Sequence, residues 1–110
     1  MLKSLSFNSC NVGIYFEGSF VTTIQNSTFS KCNYGVDMSN PGSAGAVSIV
    51  DSSVSSCDSG VYAYVSGYGE GSLVLDNFSV SDAVAVKSSS GSVLLADSVP
   101  AGKTWVMGNG

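Results

Sequence analysis

Histidine and arginine are both absent from this 110-residue chain, and four lysines stand against eight acidic residues. Without histidine, neither a Ser/His nor a Cys/His nucleophilic pair can be assembled. A net charge of −4 with scattered lysines leaves no basic footprint, so no nucleic-acid partner is expected. Long apolar runs are lacking too. Nothing approaches the roughly 20 residues of a membrane-crossing helix, and no membrane partner is expected. Residues 1–16 are too interrupted by Ser and Asn to read as a signal-peptide hydrophobic region. The three cysteines include no C-x-x-C pair and have no histidine to complete a zinc site, so no metal or other cofactor is expected. Their odd number leaves at least one thiol unpaired.

Charged residues make up only 11% of the chain, yet 44% is hydrophobic, which excludes the charged, apolar-poor signature of disorder. Ser, Gly and Val dominate. Such material suits short strands joined by turns better than helices.

A repeat organises those strands. Cys10-Asn11-Val12-Gly13-Ile14 recurs as Cys32-Asn33-Tyr34-Gly35-Val36 and again, after a nearly equal interval, as Cys57-Asp58-Ser59-Gly60-Val61. Phe7, Phe29 and Val54 precede each Cys by three positions. A fourth unit follows around Phe78, Val80 and Asp82, and a weaker fifth around Leu94–Val99. The Asx-x-Gly step is expected to supply left-handed backbone for a sharp turn. After it the strands alternate, with Val61, Ala63 and Val65 facing in and Tyr62 and Tyr64 facing out.

Leucine-rich repeats share this period but need Leu at fixed offsets. An antiparallel sandwich would not repeat one turn at this spacing. The expected fold is therefore all-β, a right-handed parallel β-helix of about five coils, roughly 24 Å long at the strand spacing. Residues 1–101 form the coils of a partial domain. Residues 102–110 are a C-terminal extension or linker, with Trp105 covering the end of the stack. Cys10, Cys32 and Cys57 are expected in one buried ladder whose parallel side chains disfavour disulfides. Open strand edges at the ends, without evident caps, predict that the chain is a segment of something longer.

The phrases Ala46-Val47-Ser48-Ile49-Val50-Asp51-Ser52-Ser53-Val54 and Gly71-Ser72-Leu73-Val74-Leu75-Asp76-Asn77-Phe78 resemble the pectate-lyase-type β-helix superfamily. Ser92-Val93-Leu94-Leu95, with the ending Lys103-Thr104-Trp105-Val106-Met107-Gly108-Asn109-Gly110, is similar to fungal glycoside hydrolase family 55. That resemblance implies an exo-β-1,3-glucanase built from two β-helix domains, its catalytic acid lying in the second. No catalytic residue is therefore carried over to this chain. The resemblance also implies an extracellular parent protein with polysaccharide (β-glucan) as its partner, alongside its remaining coils or second β-helix domain. Asn-x-Ser/Thr sequons at Asn26 and Asn77 suit secretion.

Two polar columns are candidates for chemistry. Asn26, Asp51, Asp76 and Asp97 recur about once per unit of the repeat, and could stack as an acidic column or as Asx residues reused at one turn. Outward positions should align Tyr15, Asp37 and Tyr62, and beside them Glu17, Ser39 and Tyr64. Aromatic faces beside carboxylates suit sugars. Tyr15, Glu17, Asp37, Tyr62 and Tyr64 are the candidate substrate contacts, although tyrosine is also ordinary on exposed strands. A calcium-dependent pectate lyase is disfavoured, because that chemistry wants a strong base beside its aspartates. The leading expectation is a β-1,3-glucanase segment, inactive alone. The alternative is a non-catalytic structural or adhesive β-helix that binds glycan or protein.

Overall fold

The computed structural model describes residues 1–40, 44–64, 68–69 and 71–107, and among these there is no helix. Val65, expected to face inward, lies outside the described residues. The strands are β1 (Leu2–Lys3), β2 (Ser6–Asn8), β3 (Val12–Tyr15), β4 (Ser19–Gln25), β5 (Thr28–Ser30) and β6 (Tyr34–Met38). They continue as β7 (Ala44–Ser55), β8 (Ser59–Ala63), β9 (Leu73–Ser81), β10 (Val84–Ser88), β11 (Val93–Leu95) and β12 (Val99–Val106).

Their pairing winds the chain into a parallel β-solenoid of about three turns with three sides. On the first side Leu2, Ile24, Ile49 and Leu75 are register partners, layer on layer. On the second Phe7 lies under Phe29, Val54 and Val80. On the third Ile14 lies under Val36, Val61 and Val86. These are the periodic apolar positions of the sequence, and in the inner layers they form the core. Ile24, Phe29, Val36, Ile49, Val54, Val61 and Leu75 are each at most 1% exposed. The long strands β7 and β9 serve two sides each, bending at Asp51 and Asn77.

Those bends explain how the coil turns. Ser4, Asn26, Asp51 and Asn77 form the corner between sides one and two, with φ of 58, 51, 51 and 49°. Ser9, Lys31, Ser56 and Asp82 form the corner between sides two and three, with φ of 61, 56, 55 and 59°. These eight are all the non-glycine residues with positive φ among those described. Such a conformation is uncommon outside glycine. The expected turn formers, Asn11, Asn33 and Asp58 with Gly13, Gly35 and Gly60, are not among them. Their glycines are needed for room. A Cβ on Gly13 would sit 2.6 Å from the Gly35 carbonyl and 2.8 Å from the Phe29 ring.

What holds the inner corners at Asn26, Lys31, Asp51 and Ser56 is the small residue after each. Ser27 Oγ donates to the Gln25 carbonyl at 3.1 Å and accepts the Leu5 N–H at 3.2 Å. One layer on, Ser52 Oγ donates to the Val50 carbonyl at 2.9 Å and accepts the Ser27 N–H at 3.1 Å. The cysteines do the same at the other corner. Cys57 Sγ donates to the Ser55 carbonyl at 3.3 Å and accepts the Cys32 N–H at 3.4 Å. Cys32 and Cys57 are buried, Cys10 is half-buried, and all three thiols are free. Replacing Ser52 with alanine strands the buried Ser27 N–H. A loss of about 1–3 kcal/mol is expected in urea unfolding; an unchanged midpoint would show the ladder to be ornamental.

Two expectations need correction. The fifth coil around Leu94–Val99 does not form, because β11 runs antiparallel to β10 and β12 antiparallel to β9. The cause is a tight reversal after β10. Ser88 N–H reaches the Ser92 carbonyl at 2.8 Å, and Gly91 has φ +94°. So short a link can join only antiparallel strands. Nor does the Asx column run as spaced: Asn26 and Asp51 are reused at one corner, but it does not continue through Asp76 and Asp97. Asp76 pairs with Val50 on the first side, Asn77 takes the corner, and Asp97 is exposed between β11 and β12.

The two ends of the stack differ. At the fourth layer β11 and β12 cover the edges of β10 and β9. Trp105 lies opposite Leu75 and packs against the core. β12 runs through residue 102, where an extension was expected to begin. At the first layer β1, β2 and β3 each have a neighbour on one side only. There Leu2, Phe7, Cys10 and Ile14 are only half-buried, although their counterparts in the next layer are buried.

Candidate functional site

The column Tyr15, Asp37, Tyr62 exists on the outer face of the third side, continued by Lys87. Its members are already engaged with neighbours. Tyr15 is 52% exposed, and its hydroxyl accepts from Asn40 Nδ2 at 3.2 Å. Asp37 Oδ1 accepts the Ser39 N–H at 2.9 Å and the Ser39 hydroxyl at 2.5 Å. Tyr62 stacks on Tyr34, with ring centres 4.4 Å apart and planes within 7°. That contact hides one face of each ring from any ligand. Lys87 pairs instead with Asp58, at 3.5 Å.

Glu17 is exposed just past β3, and Tyr64 follows β8 and packs against the core. They sit two layers apart, about 10 Å at the usual strand spacing. The structure thus sets the five residues along one side of the stack.

The concave site lies at the first corner. A groove of about 310 Å³ runs across the layers, walled by Asn26, Asp51 and Asn77 at the bend and by Thr28, Ser53 and Ser79 on side two. Register makes it. Thr28, Ser53 and Ser79 are successive partners, as are Ser30, Ser55 and Ser81 two positions further along. Alternation turns these hydroxyls outward while Phe29 and Val54, between them, turn in.

The lower end continues through Ser6, whose hydroxyl accepts from Thr28 Oγ1 at 3.3 Å. Within the groove Asn77 Nδ2 donates to Asp51 Oδ1 at 2.8 Å, so the one carboxylate here is tied to an amide. Ser27 and Ser52, at its floor, spend their hydroxyls on the corner ladder described above. The result is a regular set of hydroxyls and amides with a step of about 4.8 Å, interrupted by the carboxylate of Asp51.

None of the five residues picked out in the sequence lines this groove. A signal for it was present in Thr28-Phe29-Ser30, Ser53-Val54-Ser55 and Ser79-Val80-Ser81, where polar residues flank one apolar residue once per coil. Among the described residues no three Cys, Asp or Glu side chains converge as metal ligands would. Chemically the groove can hold a hydroxyl-rich ligand by hydrogen bonds. No known protein family, curated protein or solved structure matches the chain.

Proposed function

We propose that the chain is a polysaccharide-binding portion of an extracellular carbohydrate-active β-helix protein, contributing contacts and scaffold but no hydrolysis of its own. The observation that carries this reading is the groove of hydroxyls and amides along the first corner, open across successive layers. A neutral glycan chain presents hydroxyls at regular intervals, and the hydroxyls and amides of the groove, with the Asp51 carboxylate tied to Asn77, offer it hydrogen-bond partners at a regular step. The resemblance of the strand phrases to fungal glycoside hydrolase family 55 makes a β-1,3-glucan the first ligand to try. It also makes the pectate-lyase-type superfamily the parent fold. Right-handed winding goes with that reading, since about 98% of parallel crossovers have that hand.

Affinity electrophoresis in gels containing laminarin tests it. Wild-type chain should be retarded. Ser53→Tyr, which fills the middle of the groove from an outward position, should lose at least tenfold in affinity with unchanged thermal unfolding. Equal mobility with and without laminarin would sink the proposal. Glucose release from laminarin at enzyme-like rates would overturn the claim that the chain is inactive alone.

A further inference from the structure

We propose that Asn26 is an N-glycan acceptor and that Asn77, the second sequon, is not. In Asn26-Ser27-Thr28 the corner bend, with φ of 51° at Asn26, separates the three side chains. Ser27 is fully buried, whereas Asn26 and Thr28 are exposed and line the same groove. The acceptor amide and the hydroxyl two positions on therefore share one solvent-facing side. A sugar on Asn26 extends away from the protein. Only the small Ser4 occupies the corresponding corner in the layer below.

Asn77-Phe78-Ser79 is the same motif in a closed setting. Asn77 is half-buried, and its Nδ2, the atom a sugar would join, already donates to Asp51 Oδ1 at 2.8 Å. The capping strand also crosses there. Val99 pairs with Phe78 and Thr104 with Asp76, which leaves residues 100–103 opposite Asn77 alone. A sugar at this corner competes with that segment for space, and a chain that carried one could not seat β12.

The transfer needs a lipid-pyrophosphate-linked oligosaccharide as donor. Asn26 Nδ2 forms a bond to the anomeric carbon, and the bond from that carbon to the pyrophosphate oxygen breaks. The lipid pyrophosphate leaves with the electron pair, and the amide proton passes to a base of the transferase. No electron acceptor is involved. The test below reads glycan attachment and not ligand binding, so its outcome stands apart from the polysaccharide reading, although Asn26 and Thr28 wall the same groove.

The full 110-residue chain, produced in yeast behind a cleavable secretion leader, gives the test. Glycans are read on the total cellular and secreted chain, by mass before and after peptide N-glycosidase, so that a poorly folded variant still reports. Wild type and Asn77→Gln should each carry one glycan, and Asn26→Gln none. Thr28→Val, which keeps Asn26 and a β-branched side chain but destroys the motif, should also carry none. An unglycosylated wild type, a glycan mapped to Asn77, or retention in Thr28→Val would each overturn the proposal.

Discussion

Replacing Phe29 with alanine should cost about 3–5 kcal/mol, the range for removing a large aromatic side chain from a packed core. Phe29 is 1% exposed, and its ring lies parallel to that of Phe7, 5.2 Å away. It also fills the space beside Gly13 and Gly35. Against a total stability of about 5–15 kcal/mol for a small domain, such a loss takes away a large part of the margin that keeps the chain folded. Urea unfolding followed by far-ultraviolet circular dichroism measures it. Val21→Ala, at a position 86% exposed, is the control and should stay within about 0.5 kcal/mol of wild type. If both variants unfold at the same urea concentration, the inner column is not what holds the layers together.

The second large effect is expected from Gly35→Val. A Cβ at this position would stand 2.7 Å from the Gly60 carbonyl oxygen and 3.1 Å from Phe29 Cγ. The first contact is with backbone that the parallel pairing of β6 and β8 holds in place, so no rotamer change relieves it. Overpacking commonly costs about 1–3 kcal/mol, and a branched residue against backbone belongs at or above the upper end. Gly69→Ala should be silent, because a Cβ there meets nothing within 4 Å. The contrast separates a loss of room from a generic loss of glycine. Valine tolerated at 35 with full stability would mean that the third side is spaced more widely than described.

These glycines also show how far the sequence could be read. The intervals between the repeated phrases translate directly into register partners, since a repeat stacked on itself must pair like with like. The reason for the Gly in the repeated phrase was misread, because identity alone does not tell a glycine chosen for φ from one chosen for size. The true corners carry Ser, Asn, Asp and even Lys31, and at Asn26, Lys31, Asp51 and Ser56 the next residue ties the turn through a hydroxyl or thiol ladder. That ladder joins layers far apart in sequence.

The acidic column failed by one position. Ile24 pairs with Ile49 but Ile49 with Leu75, so the second of these layers takes one position more than the first. Val50 therefore meets Asp76, and Asp51 lies under Asn77. The fourth layer is also shorter at the other corner. Residues 56–58 link Ser55 to Ser59, but only 82–83 link their partners Ser81 and Val84. Ala83 stands there alone, without an Asx, which is why the repeat fades. The reversal after β10 was hidden because alternating apolar residues look alike in parallel and antiparallel strands. The groove was overlooked for a similar reason: serine is so common here that three well-placed Ser/Thr pairs did not stand out beside the tyrosines.

The unequal ends give the molecule a polarity like that of a filament with a single growing tip. At the far end the bulge of β12 over residues 100–103, with Pro100 and Lys103 in it, presents no regular row of donors and acceptors to a newcomer. The Leu2–Tyr15 end, where β1, β2 and β3 are all open on one side among the described residues, is the fuller template for sheet extension. A coil of the same kind could continue the winding there in register. Two copies could meet there only tip to tip, about a twofold axis, and the strands of such a pair would run antiparallel across the junction. Once that junction is made both tips are used up, so the geometry that builds a stack by repetition also supplies a way to join two stacks.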